Sequence, residues 1–187
     1  YVMMCEPTRM PLKSSLPNLL CHDELLAAES AHYDWPDFDE RSASTLCYTS
    51  GTTGNPKGVL YSHRSALLVA LQFAPFATLG AANGAQETMM PMAPMFHGNA
   101  WQFPYLAPMM GARLVLPGRN YEPDKLYELL EGERVTLTCG VPTFWLILTE
   151  WLQRNGKRVS TLRTSLSSGS APPRSLIEAM ERDYGVQ

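Results

Sequence analysis

Paired cysteine, clustered basic charge and an uninterrupted apolar run are all missing from this 187-residue chain. Charged residues make up 18%, the net charge is −3 at neutral pH and the isoelectric point is about 5.8. A nucleic-acid binder would present a basic face; the loose group Arg154, Lys157, Arg158 and Arg163 reads equally well as a solvated helix end, so no nucleic-acid partner is expected. Cys5, Cys21, Cys47 and Cys139 are scattered, with no CxxC and no Cys/His pairing at zinc spacing. Cys47 and Cys139 lie in apolar runs and read as small buried hydrophobes, which fits a reducing, cytoplasmic setting. The opening residues show no secretory-leader pattern. The most apolar stretch, residues 66–82, is broken by Gln72, Pro75 and Gly80. It falls short of the ~20 residues that a membrane span requires, so a buried helix is expected there, with peripheral contact as the extent of any membrane association. There is no internal repeat and no low-complexity tract.

What is present is an apolar share of 45%, enough for one folded domain with a real core. Residues 1–43 read as an irregular lead-in, with prolines at 7, 11, 17 and 36 and a short helix around Asp23–Ser30. From residue 44 to 187, strand and helix patterns alternate. Strands are expected at Thr45–Tyr48, Thr88–Met92, Arg113–Leu116, Val135–Cys139 and Thr164–Ser167. Ser62 suits the N-cap of a helix over His63–Ala74 with apolar positions at 66, 67, 70, 71 and 74. Helices are also expected over His97–Met110, bent or broken at Pro104 and Pro108, from Pro123, over Pro142–Gln153, and from the 168–173 loop to about Tyr184. Strands separated by helices of this length imply an α/β fold of parallel βαβ units, with ligands at the carboxyl ends of the strands.

The segment from Tyr48 to Val59 carries the chemistry. Thr49, Ser50, Thr52 and Thr53 supply hydroxyls, Gly51, Gly54 and Gly58 free the backbone, and Lys57 adds one positive charge. Glycines let amides approach a ligand and point inward as an anion nest. The P-loop of nucleoside triphosphatases, G-x-x-x-x-G-K-[ST], is a poor match. Counted from Gly51, its second glycine falls on Pro56, and Gly58 stands where it needs a hydroxyl. A polar surface turn has a similar composition, but a long loop closing on Pro-Lys-Gly favours a phosphate loop of a different kind.

This segment resembles the signature loop of the adenylate-forming enzymes: acyl-CoA synthetases, coumarate-CoA ligases, luciferases and peptide-synthetase adenylation domains. Pro94–Trp101, Gly111–Gly118 and Gly140–Trp145 resemble the fatty-acyl-CoA synthetase branch, and Ser168-Gly169-Ser170-Ala171-Pro172 is similar to the family's nucleotide-pocket loop. The likeness runs from about Trp35 to the end of the chain. It implies activation of a medium- or long-chain fatty acid by ATP and Mg²⁺, giving an acyl-adenylate and pyrophosphate, then acyl transfer to coenzyme A. On that resemblance Thr49, Ser50, Gly51, Thr52, Thr53, Gly54 and Lys57 hold the β- and γ-phosphates, with the Thr49 hydroxyl helping to hold Mg²⁺. His97 walls the acyl site near the carboxylate and Trp101 gates the tunnel for the tail, while Gly169, Ser170, Ala171 and Pro172 offer backbone to adenine or the acyl group. A bonded core histidine and an ordinary buried tryptophan are the plain alternatives for His97 and Trp101. Met89, Met90, Met92, Met95, Met109 and Met110 suit either an adaptable pocket or the core.

The chain departs from the family in what it does not contain. The aromatic-Gly-x-Thr-Glu motif, the ribose-binding aspartate and the C-terminal domain with its lysine are all outside it. It is therefore expected to be the central part of the large N-terminal domain, inactive by itself. Homodimers are common among relatives. An aryl or short-chain carboxylate-CoA ligase, a non-catalytic nucleotide-binding module and a true P-loop phosphotransferase are the alternatives.

Overall fold

The computed structural model describes residues 1–49, 54–77, 86–119 and 121–187. They form two compact units, Tyr1–Phe38 and Asp39–Gln187. In the first, β1 (Val2–Met3) pairs in parallel with β2 (Leu20–Cys21), which runs into α1 (His22–Ala28). The buried Cys21 thiol donates to the Cys5 carbonyl at 3.1 Å.

The second unit has two sheets. The hairpin pairs β3 (Ala43–Thr49) with β4 (Lys57–Ser62) in antiparallel register. The strand expected at Thr45–Tyr48 thus joins a hairpin, not the parallel sheet, and Lys57 begins a second strand that the sequence pattern did not indicate. The reason is the pattern itself. Leu46, Tyr48, Val59 and Leu60 are all exposed, so this ribbon lacks the alternation that marks a half-buried strand.

Ser62 does cap α2 (His63–Ala77): its Oγ accepts from the Ser65 N–H at 3.1 Å. Ala66 and Ala70 of α2 are buried, whereas Leu67 and Leu71 are 52% and 50% exposed. The packed stripe is therefore narrower than the one expected.

The main sheet is parallel, in the order β6 (Arg113–Leu114), β5 (Thr88–Pro91), β7 (Leu137–Gly140), β8 (Thr164–Ser167). Both faces of its central strands are covered, as parallel sheets require. On one face Met89, Leu137 and Cys139 pack with Phe103, Leu106 and Ala107 of α4 (Phe103–Met109) and with Phe73 of α2. On the other, Met90 and Met92 pack with Leu126 and Leu130 of α5 (Pro123–Gly132) and with Trp145, Leu148 and Leu152 of α6 (Pro142–Arg154). Met89, Met90 and Met92 are therefore core residues. The chain closes with α7 (Arg174–Ala179) and a wider turn over Met180–Tyr184.

One buried charge sits at the amino edge of this sheet. Glu87 is 2% exposed, is paired with Arg163 and accepts from the Thr136 hydroxyl. Thr136 Oγ1 in turn accepts from the Thr88 N–H at 2.9 Å. The carboxylate thus has both a countercharge and a hydroxyl donor, the condition for burying it.

Candidate functional site

Between β5 and α4 the backbone changes hand. Gly98, Asn99, Ala100, Trp101 and Gln102 have φ of 53°, 55°, 52°, 52° and 66°. These residues make a left-handed turn, here α3 (Gly98–Trp101) with Gln102 closing it. Each non-glycine residue held this way gives up roughly 1–2 kcal/mol. The helix expected over His97–Met110 is thus interrupted at Gln102, not at its prolines: Pro104 lies in the first turn of α4, where the missing N–H is harmless. The turn survives because it is tied down. Asn99 is buried, its Nδ2 donates to Thr45 Oγ1 at 3.0 Å, and its Oδ1 accepts from the Cys47 thiol at 3.5 Å. Asn is also among the residues that tolerate this backbone region best. Strand β3, which leads into the glycine-rich loop, is in this way bonded to the turn.

A cavity of about 520 Å³ opens beside that turn, lined by Val69 and Phe73 of α2, Gly98, Trp101 and Gln102 of the turn, Tyr61 of β4, and Leu166, Ser167 and Ser168 at the carboxyl end of β8. It is mostly apolar, within the range of small-molecule sites, and lies where α/β sheets place ligands. The sequence pointed to Trp101, and to Gly98 and Ser168 within the segments that carry the resemblance, but not to Tyr61, Val69, Phe73, Gln102, Leu166 or Ser167. Val69 and Phe73 are four residues apart on one helix face, which was a usable signal. The parts played by Asn99 and Gln102 depend on a backbone hand that no periodicity reports.

The remaining predicted residues are distributed as follows. Ser50, Gly51, Thr52 and Thr53 lie outside the described residues. Thr49 and Lys57 are direct cross-strand partners in the hairpin, which puts their side chains on one face about 5 Å apart at Cβ. Both are exposed, and Lys57 forms no ion pair among the described residues. Gly54 has φ +92° and open space around its Cα, a conformation suited to glycine alone. His97 is exposed and does not line the cavity. Gly169 (φ +90°), Ser170 and Ala171 are exposed just beyond the Ser168 that does line it. Pro172 borders a different, smaller cavity with Trp145 and Leu176. No group of three or more metal-ligating His, Cys, Asp or Glu exists among the described residues. Burial pushes the Cys139 thiol, at the end of β7, up to about 12, so it is an inert packing group and not a nucleophile.

Residues 8–187 match the family described as AMP-binding enzyme. The chain belongs to this AMP-binding family. It is 44% identical over 174 residues to the medium-chain-fatty-acid–CoA ligase of Ectopseudomonas oleovorans, a match spanning 93% of this chain and 32% of that protein. It is 45% identical over 165 residues to the 3-methylmercaptopropionyl-CoA ligase of Ruegeria pomeroyi, spanning 88% of this chain and 30% of that protein. Among solved structures, the N-terminal domain of FACL13 from Mycobacterium tuberculosis superposes with a TM-score of 0.71 at 23% identity, over 88% of this chain and 41% of that one. That likeness bears out the α/β fold expected from the sequence. The chain thus spans about a third of the length of these curated relatives. Among the described residues no helix is long and apolar enough to cross a membrane.

Proposed function

We propose that this AMP-binding chain forms part of the adenylating domain of an ATP-dependent fatty-acid–CoA ligase. Such an enzyme joins a carboxylate to the α-phosphorus of ATP, releases pyrophosphate, and passes the acyl group to the coenzyme A thiol. One observation carries the reading: Lys57, without an ion pair among the described residues, faces Thr49 across the base of the Gly/Ser/Thr loop. A carboxylate attacking a triphosphate brings two anions together, so the site must supply fixed positive charge and hydrogen-bond donors. The Lys57 ammonium and the loop hydroxyls and amides meet that need at the β- and γ-phosphates. The Thr49 hydroxyl is a single neutral ligand, and Mg²⁺ typically arrives coordinated to substrate phosphates. It is therefore read as entering with ATP.

The cavity beside the left-handed turn is read as the acyl site, supported by its apolar wall of Val69, Phe73, Trp101 and Leu166. Each buried methylene of a tail contributes about 0.8 kcal/mol. The similarity to a medium-chain-fatty-acid ligase supports an alkanoate, and the similarity to a 3-methylmercaptopropionyl-CoA ligase supports a shorter, sulfur-bearing acid. In this reading His97 and the Gly169–Pro172 backbone contact carboxylate and nucleotide once substrates bind. Coenzyme A as acceptor and a homodimer as the assembly are carried over from the resemblance. A reducing, cytoplasmic setting is supported by four cysteines that are all unbridged.

ATP–pyrophosphate exchange by the full-length protein, measured with straight-chain acids of increasing length, tests the reading. Exchange should rise about fourfold in kcat/KM per added methylene until the cavity is filled. Activity restricted to aryl or very short acids would replace the fatty-acid reading, and transfer of the γ-phosphate without pyrophosphate release would overturn adenylation itself.

A further inference from the structure

The wall of the cavity beside the left-handed turn changes character with depth. Ser167 and Ser168, at and just past the carboxyl end of β8, are exposed, whereas Leu166 behind them is half-buried. Leu166, Trp101 and Phe73 line the cavity and also pack against the core cluster that holds Met89, Leu106 and Cys139. They form its inner wall, and the serines mark its mouth. Leu166 is fixed by the sheet, where it pairs with Cys139 of β7. Trp101 is fixed by the turn, and its Cδ1 lies 3.8 Å from the place a Cβ on Gly98 would take. Phe73 approaches from the opposite side, on α2. Val69 lines the cavity one turn earlier, about 6 Å back along the same helix.

An alkyl tail needs only apolar wall and room, and each methylene that it buries is worth about fourfold in kcat/KM. The gain ends where the tail meets a side chain that cannot step aside without disturbing the core, because packed interiors have no slack to absorb it. A tail that enters past the serines and follows the apolar wall by Trp101 and Val69 runs toward Phe73, which is backed by the core cluster. We infer that Phe73 ends the cavity and sets the longest alkyl tail that the protein accepts. Phe73 is thus a specificity-determining residue that acts by exclusion. The inference rests on reading the cavity as the acyl site.

The experiment measures kcat/KM for ATP–pyrophosphate exchange across straight-chain saturated acids, using the full-length protein and its Phe73→Ala, Val69→Phe and Leu71→Ala variants. In the unaltered protein kcat/KM should rise with chain length to a limit and then fall. Phe73→Ala should raise that limit by about four carbons, the room that the ring gives up. An acid about two carbons past the original limit should then gain roughly tenfold over one at the limit. Val69→Phe sets a ring one turn nearer the start of α2 and should lower the limit. Leu71→Ala, at an exposed position of α2 that does not line the cavity, should leave it in place. Each limit is a comparison within one protein sample, so partial unfolding of a variant cancels. Phe73→Leu, which keeps part of the core packing, should raise the limit by a smaller step and serves if Phe73→Ala does not fold. The proposal is overturned if neither Phe73 variant raises the limit, if Val69→Phe does not lower it, if Leu71→Ala shifts it as far, or if the unaltered protein shows no limit. Adenylation that proceeds normally with an unmoved limit sinks this inference and leaves the ligase reading standing. Failure to activate any carboxylate sinks both.

Discussion

In the parallel sheet, the buried charge and the buried Thr138 hydroxyl have partners, while the Ser165 hydroxyl of β8 has none among the described residues. Glu87 has Arg163 and Thr136, and Thr138 Oγ1 donates to the Met90 carbonyl at 2.6 Å. In the hairpin and the turn beside it, polar groups are left over. Among the described residues Lys57 has no carboxylate in reach and the buried Gln102 Oε1 has no donor. The sheet gives up little backbone freedom beyond that of regular strands, whereas the turn holds four non-glycine residues at positive φ. A scaffold lowers its free energy by closing its own hydrogen bonds. A binding site keeps some open, and tolerates strain, because the ligand completes it.

The sharpest break of that contrast is in the core. Trp145→Ala, at a residue only 2% exposed, is expected to destabilise the protein by about 3–5 kcal/mol, seen as a lower urea midpoint, with substrate selectivity unchanged in the folded fraction. Lys57→Ala should do the reverse. The side chain is exposed, so the urea midpoint should hardly move, while kcat/KM for adenylation in the full-length protein falls roughly tenfold to a hundredfold through loss of a charge-assisted bond. A large drop in stability at Lys57 would show that the hairpin belongs to the scaffold after all.

A third test uses pH. Burial raises the Cys139 thiol from 9.0 to about 12, so the folded state holds its proton over a range where the unfolded chain has lost it. The stabilisation is complete below pH 9 and is lost as pH rises toward 12, at about 1.4 kcal/mol per pH unit. Denaturant titrations between those values should show this slope, and Cys139→Ala should remove that share of it.

The smallest effect reports on the turn. Ala100→Gly should be neutral or stabilising by up to about 1 kcal/mol, since glycine adopts φ near 52° without strain. Ala107→Gly, inside α4, should destabilise by about 1 kcal/mol or more. Equal losses at the two positions would mean that the turn is not left-handed.

Much of this was legible beforehand. The strand at Thr164–Ser167 lies where its pattern put it, α6 begins at Pro142 as expected, and Ser62 caps α2 through its own hydroxyl. These features depend on residues near one another in the chain, where period, capping chemistry and proline tolerance act directly. The glycine- and hydroxyl-rich composition of the loop, with its one lysine, likewise marked the family from the sequence alone. What had to wait for the tertiary structure was pairing and hand. The exposed β4 strand follows from Thr49 finding Lys57 across a hairpin, and the left-handed turn from Asn99 finding Thr45, 54 residues away. Local preference disfavours that turn, so it can exist only where distant bonds offset its strain. The buried oxygen of Gln102 is a consequence of that closure.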